Sequence, residues 1–343
     1  MADGVPVSPT MDAAIYRRRG ELEITSVDTP VADDTRALIR VEHCGVCGTD
    51  LHMVLDGWGV PDTIFGHEWS GRVVDPGGTG LAAGQLVVGL PAEICGICVR
   101  CVEGRPNLCL NRDAAGTSSE SGAFATYKRA DPATLIPVPD GIDARAAAYT
   151  EPLAVALHAV NLSGITADQT ARVFGAGPIG AAIIAILGQR DVAVRAVEPG
   201  SRRAELAESL GAPVDSADDL SVPGHPGELA EQAVDVVFET SGVRAAAEIG
   251  LTQLTSGGLL MLVGTGLDYP VLDTNRIILN ELRITGAFNY DEFGFRDALE
   301  LIGRGTLPLD LLIEPADVNL DNLLPVMQQL RAGTLPGKVM VSP

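Results

Sequence analysis

The segment 171–189 joins a short apolar run to a glycine-rich turn and then to an apolar, helix-like stretch. The turn runs Gly175-Ala-Gly177-Pro178-Ile179-Gly180, a G-x-G-x-x-G pattern with a strand before it and a helix after it. In such a turn the first glycine permits a tight bend, the second lets the backbone approach a pyrophosphate, and the third allows close helix–strand packing. The pattern therefore predicts a dinucleotide-binding βαβ unit.

Strand-like and helix-like segments alternate around this turn, between residues 153 and 288. Strands at 171–174, 193–197, 234–239 and 259–263, separated by helices, predict a parallel sheet. Residues 1–152 contain instead short β-like runs bounded by glycine and proline, and the tail carries a strand-like run at 338–341. A chain of 343 residues also suits two cores better than one. We therefore expect an α/β protein in which a domain at 153–288 is inserted into a β-rich domain formed by 1–152 and 289–343.

An acidic residue, Glu198, closes the strand that follows the glycine turn. A carboxylate at this place binds the ribose hydroxyls and repels a 2′-phosphate, which favours NAD over NADP. Arg202 and Arg203 follow at once and could weaken that preference by attracting a phosphate. The sequence thus predicts NAD as the cofactor and leaves NADP as an alternative.

Six cysteines fall into clusters rather than spreading along the chain as in a disulfide framework. Residues 95–109, here called the four-cysteine lobe, hold Cys95, Cys98, Cys101 and Cys109 at C-x2-C-x2-C-x7-C spacing. Four thiolates so close in sequence can surround one tetrahedral zinc ion. An iron–sulfur cluster is an alternative, although the fourth cysteine does not follow the ferredoxin spacing, and free thiols or disulfides are another. We predict a closed structural zinc site with no catalytic role.

A second set of possible metal ligands is scattered through the first half of the chain. Cys47 offers a thiolate, His67 and Glu68 offer an imidazole and a carboxylate, and Glu151 offers a further carboxylate. Such donors can hold zinc and leave room for an alcohol, which then loses its proton near neutral pH and can release hydride to a nicotinamide. Taken singly, each residue also has an ordinary explanation as a surface or capping residue.

The chain carries 24 Lys and Arg against 45 Asp and Glu, a net charge of −21 at pH 7. Nucleic acids and anionic membranes bind basic surfaces, so this charge argues against both as partners. The first residues lack the basic and apolar pattern of a signal peptide, and no apolar run is long enough to span a membrane. We therefore expect a cytoplasmic protein.

Five motifs occur in the order found in zinc-dependent medium-chain alcohol dehydrogenases, which the chain resembles over nearly its whole length. They are the segments 44–52, 66–71, 151–158 and 175–180, together with the four-cysteine lobe. This resemblance implies a GroES-like catalytic domain and a Rossmann domain with a doubly wound parallel sheet. It also implies one catalytic and one structural zinc ion per chain, a small-molecule alcohol or ketone substrate, and a homodimer or homotetramer.

The resemblance gives the scattered ligands individual roles. Cys47, His67 and Glu68 match the catalytic zinc positions of the family. Glu151 matches an acidic position that binds zinc directly or through water in the polyol and sugar branch. Asp50 matches a carboxylate that orients the zinc-bound histidine.

Other residues match the family's proton relay and its cofactor contacts. Thr49 and His52 match the relay that carries the alcohol proton to solvent, whereas Cys44 falls outside the ligand pattern. Glu198 and Arg203 match positions beside the adenosine ribose and adenine. The residues that match the loops lining the nicotinamide half are Thr240, Val263, Gly264, Thr265, Phe288 and Asn289.

The substrate-side positions leave more than one class of alcohol open. Glu151 followed by Pro-Leu is similar to polyol, threonine, glucose, butanediol and aminocyclitol dehydrogenases, but Met53 and Asn289 replace the Tyr and Arg of sorbitol dehydrogenases. Polar side chains would suit an oxygen-rich substrate, and the candidates are Asn289, Glu120 and Ser121. Apolar side chains would favour an apolar alcohol unless they are core residues, and the candidates are Met53, Trp58 and Phe65.

We expect an NAD-dependent zinc enzyme that oxidises a secondary alcohol of polyol, cyclitol or sugar-like type reversibly to a ketone. Two alternatives stay open on the same fold. One is a metal-free, NADP-dependent quinone or enone reductase, and the other is a non-catalytic NAD-binding zinc scaffold.

Overall fold

Antiparallel strands are the main regular elements in the first part of the chain in the computed structural model, which describes residues 7–114 and 122–343. Strand β3 lies at the centre, because it pairs with β5 and β9 on its flanks and with the last strand of the chain. A separate small sheet has the order β2-β1-β4. The strands are β1 (Thr10–Arg18), β2 (Glu21–Asp28), β3 (Ala37–Gly45), β4 (Thr63–Ile64), β5 (Glu68–Asp75), β6 (Leu86–Gly89), β7 (Ala92–Glu93), β8 (Asp113–Ala114), β9 (Tyr127–Ala130) and β10 (Leu135–Pro137).

Short helical segments connect these strands and carry several of the predicted site residues. The helices are α1 (Gly48–Leu51), α2 (Val99–Val102) and α3 (Ala144–Ala148). Helix α1 continues directly into a π-helical turn at His52–Asp56, and 3-10 turns lie at Pro106–Leu108 and Pro132–Thr134. The first part of the chain therefore presents its chemistry from turns at the edges of the sheets.

A six-stranded parallel sheet follows, with helices between its strands. Its strands are β11 (Thr170–Phe174), β12 (Ala193–Val197), β13 (Val214–Asp215), β14 (Val234–Glu239), β15 (Leu254–Leu262) and β16 (Arg283–Gly286). Its helices are α4 (Thr150–Ser163), α5 (Pro178–Gln189), α6 (Ser201–Ser209), α7 (Arg244–Thr252) and α8 (Thr274–Leu279), and a 3-10 turn lies at Ala217–Asp219. The strand order β13-β12-β11-β14-β15-β16 reverses direction between β11 and β14. In sheets of this kind a ligand binds at that reversal, beyond the carboxyl ends of the strands.

The tail of the chain returns to the antiparallel part. It contains α9 (Gly294–Gly303), α10 (Leu309–Leu312), a 3-10 turn at Leu320–Asn322, α11 (Leu323–Arg331) and β17 (Met340–Val341). Strand β17 pairs with β3, with Met340 opposite Gly45. Helix α9 packs its apolar face in the core shared with α4, α5 and the parallel sheet, whereas α11 packs in the core of the antiparallel sheets.

The predicted α/β architecture is confirmed, with antiparallel sheets in the first part of the chain and a six-stranded parallel sheet after it. The sequence patterns did not reveal α8 or β16, because both are short and mix apolar with polar residues. No helix in the described ranges is long and apolar enough to cross a membrane.

Candidate active site and metal centres

The four sulfur atoms of the four-cysteine lobe converge on one point. Cys98 Sγ lies 3.6 Å from Cys101 Sγ and 4.0 Å from Cys109 Sγ, and Cys109 Sγ lies 3.5 Å from Cys95 Sγ. A tetrahedral zinc ion with Zn–S bonds of about 2.3 Å would hold its sulfurs ~3.8 Å apart. The observed separations therefore fit one zinc ion bound by all four cysteines.

Backbone N–H groups point at several of these sulfurs and favour the thiolate form, whereas burial and the neighbouring thiols raise the pKa of Cys101 to about 12. The N–H groups of Ile97 and Cys98 lower the pKa of Cys95 to about 6. The N–H of Leu110 lies 3.5 Å from Cys98 Sγ, and that of Cys95 lies 3.4 Å from Cys109 Sγ. Thiolates are the form that binds zinc, so the lobe is built as a metal site as well as spaced like one.

The second predicted cluster also comes together. Cys47, His67 and Glu68 place their donor atoms within 4.8 Å of one another. The cause is the pairing of β3 with β5, which sets Gly45 opposite Glu68. A Cβ at Gly45 would overlap the Glu68 carboxylate, so a glycine there leaves room for the acidic side chain.

The carboxylate of Glu68 is fully buried, and one of its two oxygens has a hydrogen-bond partner in the described structure while the other has none. Its Oε1 accepts a hydrogen bond of 2.7 Å from Lys338 Nζ, and the same amine donates to Val46 O at 3.0 Å. Its Oε2 has no hydrogen-bond partner among the described residues. A buried carboxylate oxygen left free beside a thiol and an imidazole is what a metal cation would satisfy.

Lys338 is buried as deeply as its partner, with 2% of its surface exposed. Burial by itself would lower the pKa of this amine, but the charges of Glu68 and Cys47 outweigh it and raise the pKa. Lys338 is therefore ionised at neutral pH and balances the charge of Glu68. The sequence analysis missed this residue, whose signal is a lysine inside the apolar, strand-like run at 338–341.

The Asp50 carboxylate lies beside Cys47 and His67, at the position expected from the resemblance. Its Oδ2 accepts from the backbone N–H of Cys47 at 2.9 Å, and its Oδ1 lies 3.6 Å from His67 Nδ1. The buried carboxylate thus faces the Nδ1 side of the imidazole, which leaves Nε2 for a metal ion.

Glu151 lies at the start of α4, outside the set of donors that fall within 4.8 Å of one another. Burial raises the pKa of its carboxyl to about 7, with His67 opposing and Glu68 adding to that rise. Tyr290, also missed by the sequence analysis, places a buried hydroxyl without a partner in the described structure where the charge of Glu151 reaches it. The role of Glu151 as a zinc ligand stays a prediction.

The two relay residues lie on α1 and on the π-helical turn after it. Thr49 is exposed, and its backbone N–H lies 3.5 Å from Cys47 Sγ. His52 is half-buried, with its Nδ1 2.7 Å from Asp56 Oδ2 and its ring stacked on Trp58 at 4.7 Å. Both residues therefore lie close to Cys47 in the chain, and Thr49 is open to solvent.

The substrate-side candidates divide between core and surface. Phe65 is a core residue 5.6 Å from the ring of Tyr16, Met53 packs at the edge of that core, and Trp58 is 48% exposed. Asn289 adopts a left-handed backbone, with φ +52°. The remaining polar candidates, Glu120 and Ser121, lie outside the described residues.

The glycine turn has the geometry that its sequence predicted. Gly175 has φ +90°, and a Cβ at Gly180 would overlap the carbonyl oxygen of Gly175. Gly177 caps α5, whose first residue is Pro178. Thr240 Oγ1 donates to the carbonyl of Gly175 at 2.8 Å and so holds the turn from the neighbouring strand. The N-terminus of α5 is thereby open to an anionic group.

Glu198 and Arg203 flank this turn. The Glu198 carboxylate accepts from the N–H groups of Ala176 and Gly200, both at 2.8 Å. Arg203 Nη2 donates at 2.9 Å to the carbonyl of Leu330 on α11. The arginine therefore bridges the cofactor half and the tail of the chain, beside the glycine turn.

The loops predicted to line the nicotinamide follow β14, β15 and β16. The N–H groups of Val263 and Gly264 donate to Glu239 O at 2.8 and 2.9 Å, and the Thr265 carbonyl lies where a Cβ on Gly242 would be. The buried carboxylate of Glu239, which the sequence analysis missed, accepts from the N–H groups of the following turn. Phe288, about half exposed, stacks under the Arg112 guanidinium at 4.6 Å.

Comparison with known proteins agrees with this geometry. Residues 33–140 match the family model described as alcohol dehydrogenase GroES-like domain, and residues 178–304 match the one described as zinc-binding dehydrogenase. The chain is 33% identical to 2-dehydro-3-deoxy-L-galactonate 5-dehydrogenase of Pseudoalteromonas atlantica, over 82% of this chain and 83% of that protein.

Solved structures show the same fold over nearly the whole chain. The crystal structure of 2R,3R-butanediol dehydrogenase from Bacillus subtilis has a TM-score of 0.84 at 28% identity and covers 97% of this chain and 99% of its own. Acetophenone reductase from Geotrichum candidum, in complex with NAD, has a TM-score of 0.84 at 25% identity and covers 99% of both chains.

These matches confirm zinc and a nicotinamide dinucleotide as the cofactors, and they favour an alcohol dehydrogenase over a metal-free quinone reductase or a non-catalytic scaffold. The chain belongs to the zinc-dependent medium-chain alcohol dehydrogenase family and is an NAD(P)-dependent oxidoreductase of alcohols.

Proposed function

We propose that the protein oxidises a secondary hydroxyl group of a polyol, cyclitol or sugar-like molecule reversibly to a ketone, with NAD as the hydride acceptor. The observation that carries the proposal is the meeting of Cys47, His67 and Glu68 around a buried carboxylate oxygen that lacks a partner in the described structure. The relatives named for a sugar acid and for butanediol support this substrate class.

In this proposal Cys47, His67 and Glu68 hold the catalytic zinc, with Glu151 beside it as a direct or water-mediated ligand. Zinc supplies a Lewis acid that favours loss of the alcohol proton. Lys338 fixes one oxygen of Glu68 and leaves the other for the metal. Proton transfer and cofactor binding are carried out by other side chains of the protein.

The proton path begins with the Thr49 hydroxyl and continues to His52, which accepts the proton at a ring nitrogen and releases it to solvent. The half-buried setting of His52 suits this role, because one ring can face both the cleft and water. The cofactor pyrophosphate binds at the N-terminus of α5, and the Glu198 carboxylate faces the ribose hydroxyls, which favours NAD over NADP.

Two buried polar groups support an oxygen-rich substrate. Glu151 carries a carboxyl whose pKa is raised by burial to about 7, and the Tyr290 hydroxyl has no partner among the described residues. A substrate with a second hydroxyl group next to the reacting carbon would give the Tyr290 hydroxyl a partner and could also bind the Glu151 carboxyl. An apolar alcohol would leave the Tyr290 hydroxyl without a hydrogen bond, at a cost of about 1–3 kcal/mol.

A substrate screen with both cofactors tests this function. Polyols, cyclitols, sugar acids and simple secondary alcohols are offered with NAD or NADP, and NAD(P)H absorbance is followed alongside bound zinc. We expect the highest kcat/KM for a vicinal diol with NAD, and loss of activity on treatment with a zinc chelator. Full activity in a zinc-free preparation, or silence across all substrates, would contradict the proposal.

We also propose the domain boundaries 1–152 with 289–343 and 153–288, and a homodimer or homotetramer in solution. Pairing of β17 with β3 supports the return of the tail to the first domain. Limited proteolysis tests the boundaries, and light scattering after size exclusion tests the oligomer.

A further inference from the structure

The π-helical turn at His52–Asp56 brings a basic side chain, that of His52, into contact with an acidic one, that of Asp56. The turn closes on Gly57, whose N–H donates to His52 O and whose φ of +84° is left-handed. In this turn His52 Nδ1 and Asp56 Oδ2 are 2.7 Å apart. Single π-helical turns inside helices occur frequently at functional sites, so the contact between these two residues calls for a functional explanation.

The Asp56 carboxylate has a second hydrogen-bond partner, an arginine on a helix that is distant in the chain. Arg331, the last residue of α11, donates from Nη1 to Oδ1 at 3.0 Å and from Nη2 to Oδ2 at 2.8 Å. These bonds are the main reason why the pKa of Asp56 falls to about 2, with His52 contributing and burial opposing. Asp56 is therefore ionised at any pH at which the enzyme would be assayed.

An ionised carboxylate can only accept hydrogen bonds. The short contact with Asp56 Oδ2 therefore requires His52 to carry a hydrogen on Nδ1, whether the imidazole is neutral or charged. In the neutral ring Nε2 is then the one nitrogen able to accept a proton. The stacking of Trp58 on the same ring, 16° from parallel, fixes the plane in which Nε2 lies.

We propose that Asp56 and Arg331 are positioning residues of the proton relay, which fix the tautomer and the orientation of His52. This inference rests on the proposed relay role of His52. Nε2 takes up the alcohol proton, Asp56 stabilises the resulting imidazolium through Nδ1–H, and Nε2 gives the proton to water. Arg331 holds the Asp56 carboxylate in place and keeps it aimed at the ring.

A purely structural role for the pair makes a different forecast. An ion pair that only ties the π-helical turn to α11 would change stability slightly and leave the tautomer of the imidazole unaffected. Asp56 has 11% of its side chain exposed and shares Oδ2 between Arg331 and His52. If Asp56 positions the ring, its replacement should change which nitrogen of His52 carries the hydrogen.

The test combines histidine 15N spectra with steady-state kinetics on the zinc-loaded full chain. The variants are Asp56→Asn, whose amide can donate to Nδ1 and so permit the other tautomer, and Arg331→Lys and Arg331→Gln, which weaken the hold on Asp56. His52→Gln assigns the His52 signals. The matched control is Asp62→Asn, because Asp62 pairs with Arg17 nearby, is exposed and has φ +65°, a conformation that Asn tolerates.

We expect the wild-type spectrum and that of Asp62→Asn to show a protonated Nδ1 and an unprotonated Nε2 at His52. Asp56→Asn should mix the two tautomers and lower kcat about 5- to 20-fold with little change in KM. Arg331→Gln should behave similarly but more weakly, and Arg331→Lys should recover most of the loss.

Two negative results are distinguishable. A slow His52→Gln variant combined with an unchanged tautomer and kcat in both Asp56→Asn and Arg331→Gln would overturn the positioning role and leave the relay intact. A wild-type kcat in His52→Gln would overturn the relay role of His52, and the positioning role with it, while the alcohol dehydrogenase activity itself would stand. Thermal melting of each variant excludes loss of fold as the cause.

Discussion

The two clusters of possible metal ligands in this protein are assembled in opposite ways. The four-cysteine lobe draws all of its donors from residues 95–109, and these side chains are only partly buried. The cluster of Cys47, His67 and Glu68 is assembled by the pairing of two strands, and its carboxylate is balanced by Lys338 from the tail. The first is a local unit whose geometry follows from spacing, whereas the second exists only once the sheet has formed.

The largest effect should come from breaking the local unit. Cys98→Ser should remove the lobe zinc and with it about 10 kcal/mol or more of local folding free energy. Zinc analysis should fall from two ions to one per chain, and amide exchange should lose its protection across 95–109. Cys44→Ala is the control, because Cys44 is buried and lies in neither cluster. Retention of two ions in Cys98→Ser would show that the lobe is not a four-cysteine zinc site.

Breaking the assembled cluster should cost activity rather than fold. His67→Ala should lower kcat about 10³-fold or more, because the metal contributes several kcal/mol to the transition state. The lobe zinc and the amide exchange of 95–109 should be unaffected. His225→Ala, at an exposed histidine, should leave kcat unchanged. A His67→Ala enzyme of normal kcat would contradict the assignment of the catalytic site.

The counter-ion of the assembled cluster provides a sharper comparison. Lys338→Met leaves the buried carboxylate of Glu68 without its partner and should lower the free energy of unfolding by about 3 kcal/mol, as measured by urea denaturation. The double variant with Glu68→Gln should recover much of that loss, because the uncompensated charge is gone. Equal losses in the single and double variants would show that Lys338 acts through packing alone.

The smallest effect concerns the ion pair beside the relay. A carboxyl whose pKa is lower in the folded state adds stability that is complete above its unfolded pKa, and this stability disappears as the pH falls through the folded pKa. For Asp56 these limits are 3.8 and about 2. Arg331→Gln should therefore cost on the order of 1–2 kcal/mol near neutral pH, and the difference from wild type should shrink between pH 4 and pH 2.

Acid also removes zinc, but it does so equally in the wild type and in Arg331→Gln. This effect therefore cancels in the difference between their free energies of unfolding. A difference that stays constant down to pH 2 would mean that Arg331 stabilises the fold independently of the Asp56 charge.

Spacing and periodicity were enough to predict the parts of the fold that are local. The glycine turn, the strand that ends before Glu198 and the four-cysteine lobe all depend on neighbours in the chain, and each has its predicted form. Their chemistry made Cys47, His67 and Glu68 possible metal ligands, but only the resemblance to a family joined them into one site, because no pattern within the chain states that β3 will pair with β5. The structure places the donor atoms of these three side chains within 4.8 Å of one another, and their roles as zinc ligands stay predictions.

Three of the residues that sequence reasoning missed act across long separations, whereas a fourth, Glu239, binds the turn that directly follows it. Lys338 reaches Glu68 over 270 positions, and Arg331 reaches Asp56 over 275. Tyr290 gains its interest only from its buried place near Glu151. Such contacts depend on which elements the fold brings together, and a lysine or an arginine near the end of a helix or strand looks ordinary until that is known.

The partnership of Glu68 with Lys338 has a consequence for how the protein is made. During synthesis the four-cysteine lobe has all of its ligands as soon as residue 109 has left the ribosome, so it can take up zinc early and on its own. Glu68 must wait for its counter-ion until residue 338 has been translated. The cluster of Cys47, His67 and Glu68 is therefore completed only near the end of synthesis, long after the four-cysteine lobe has all of its ligands.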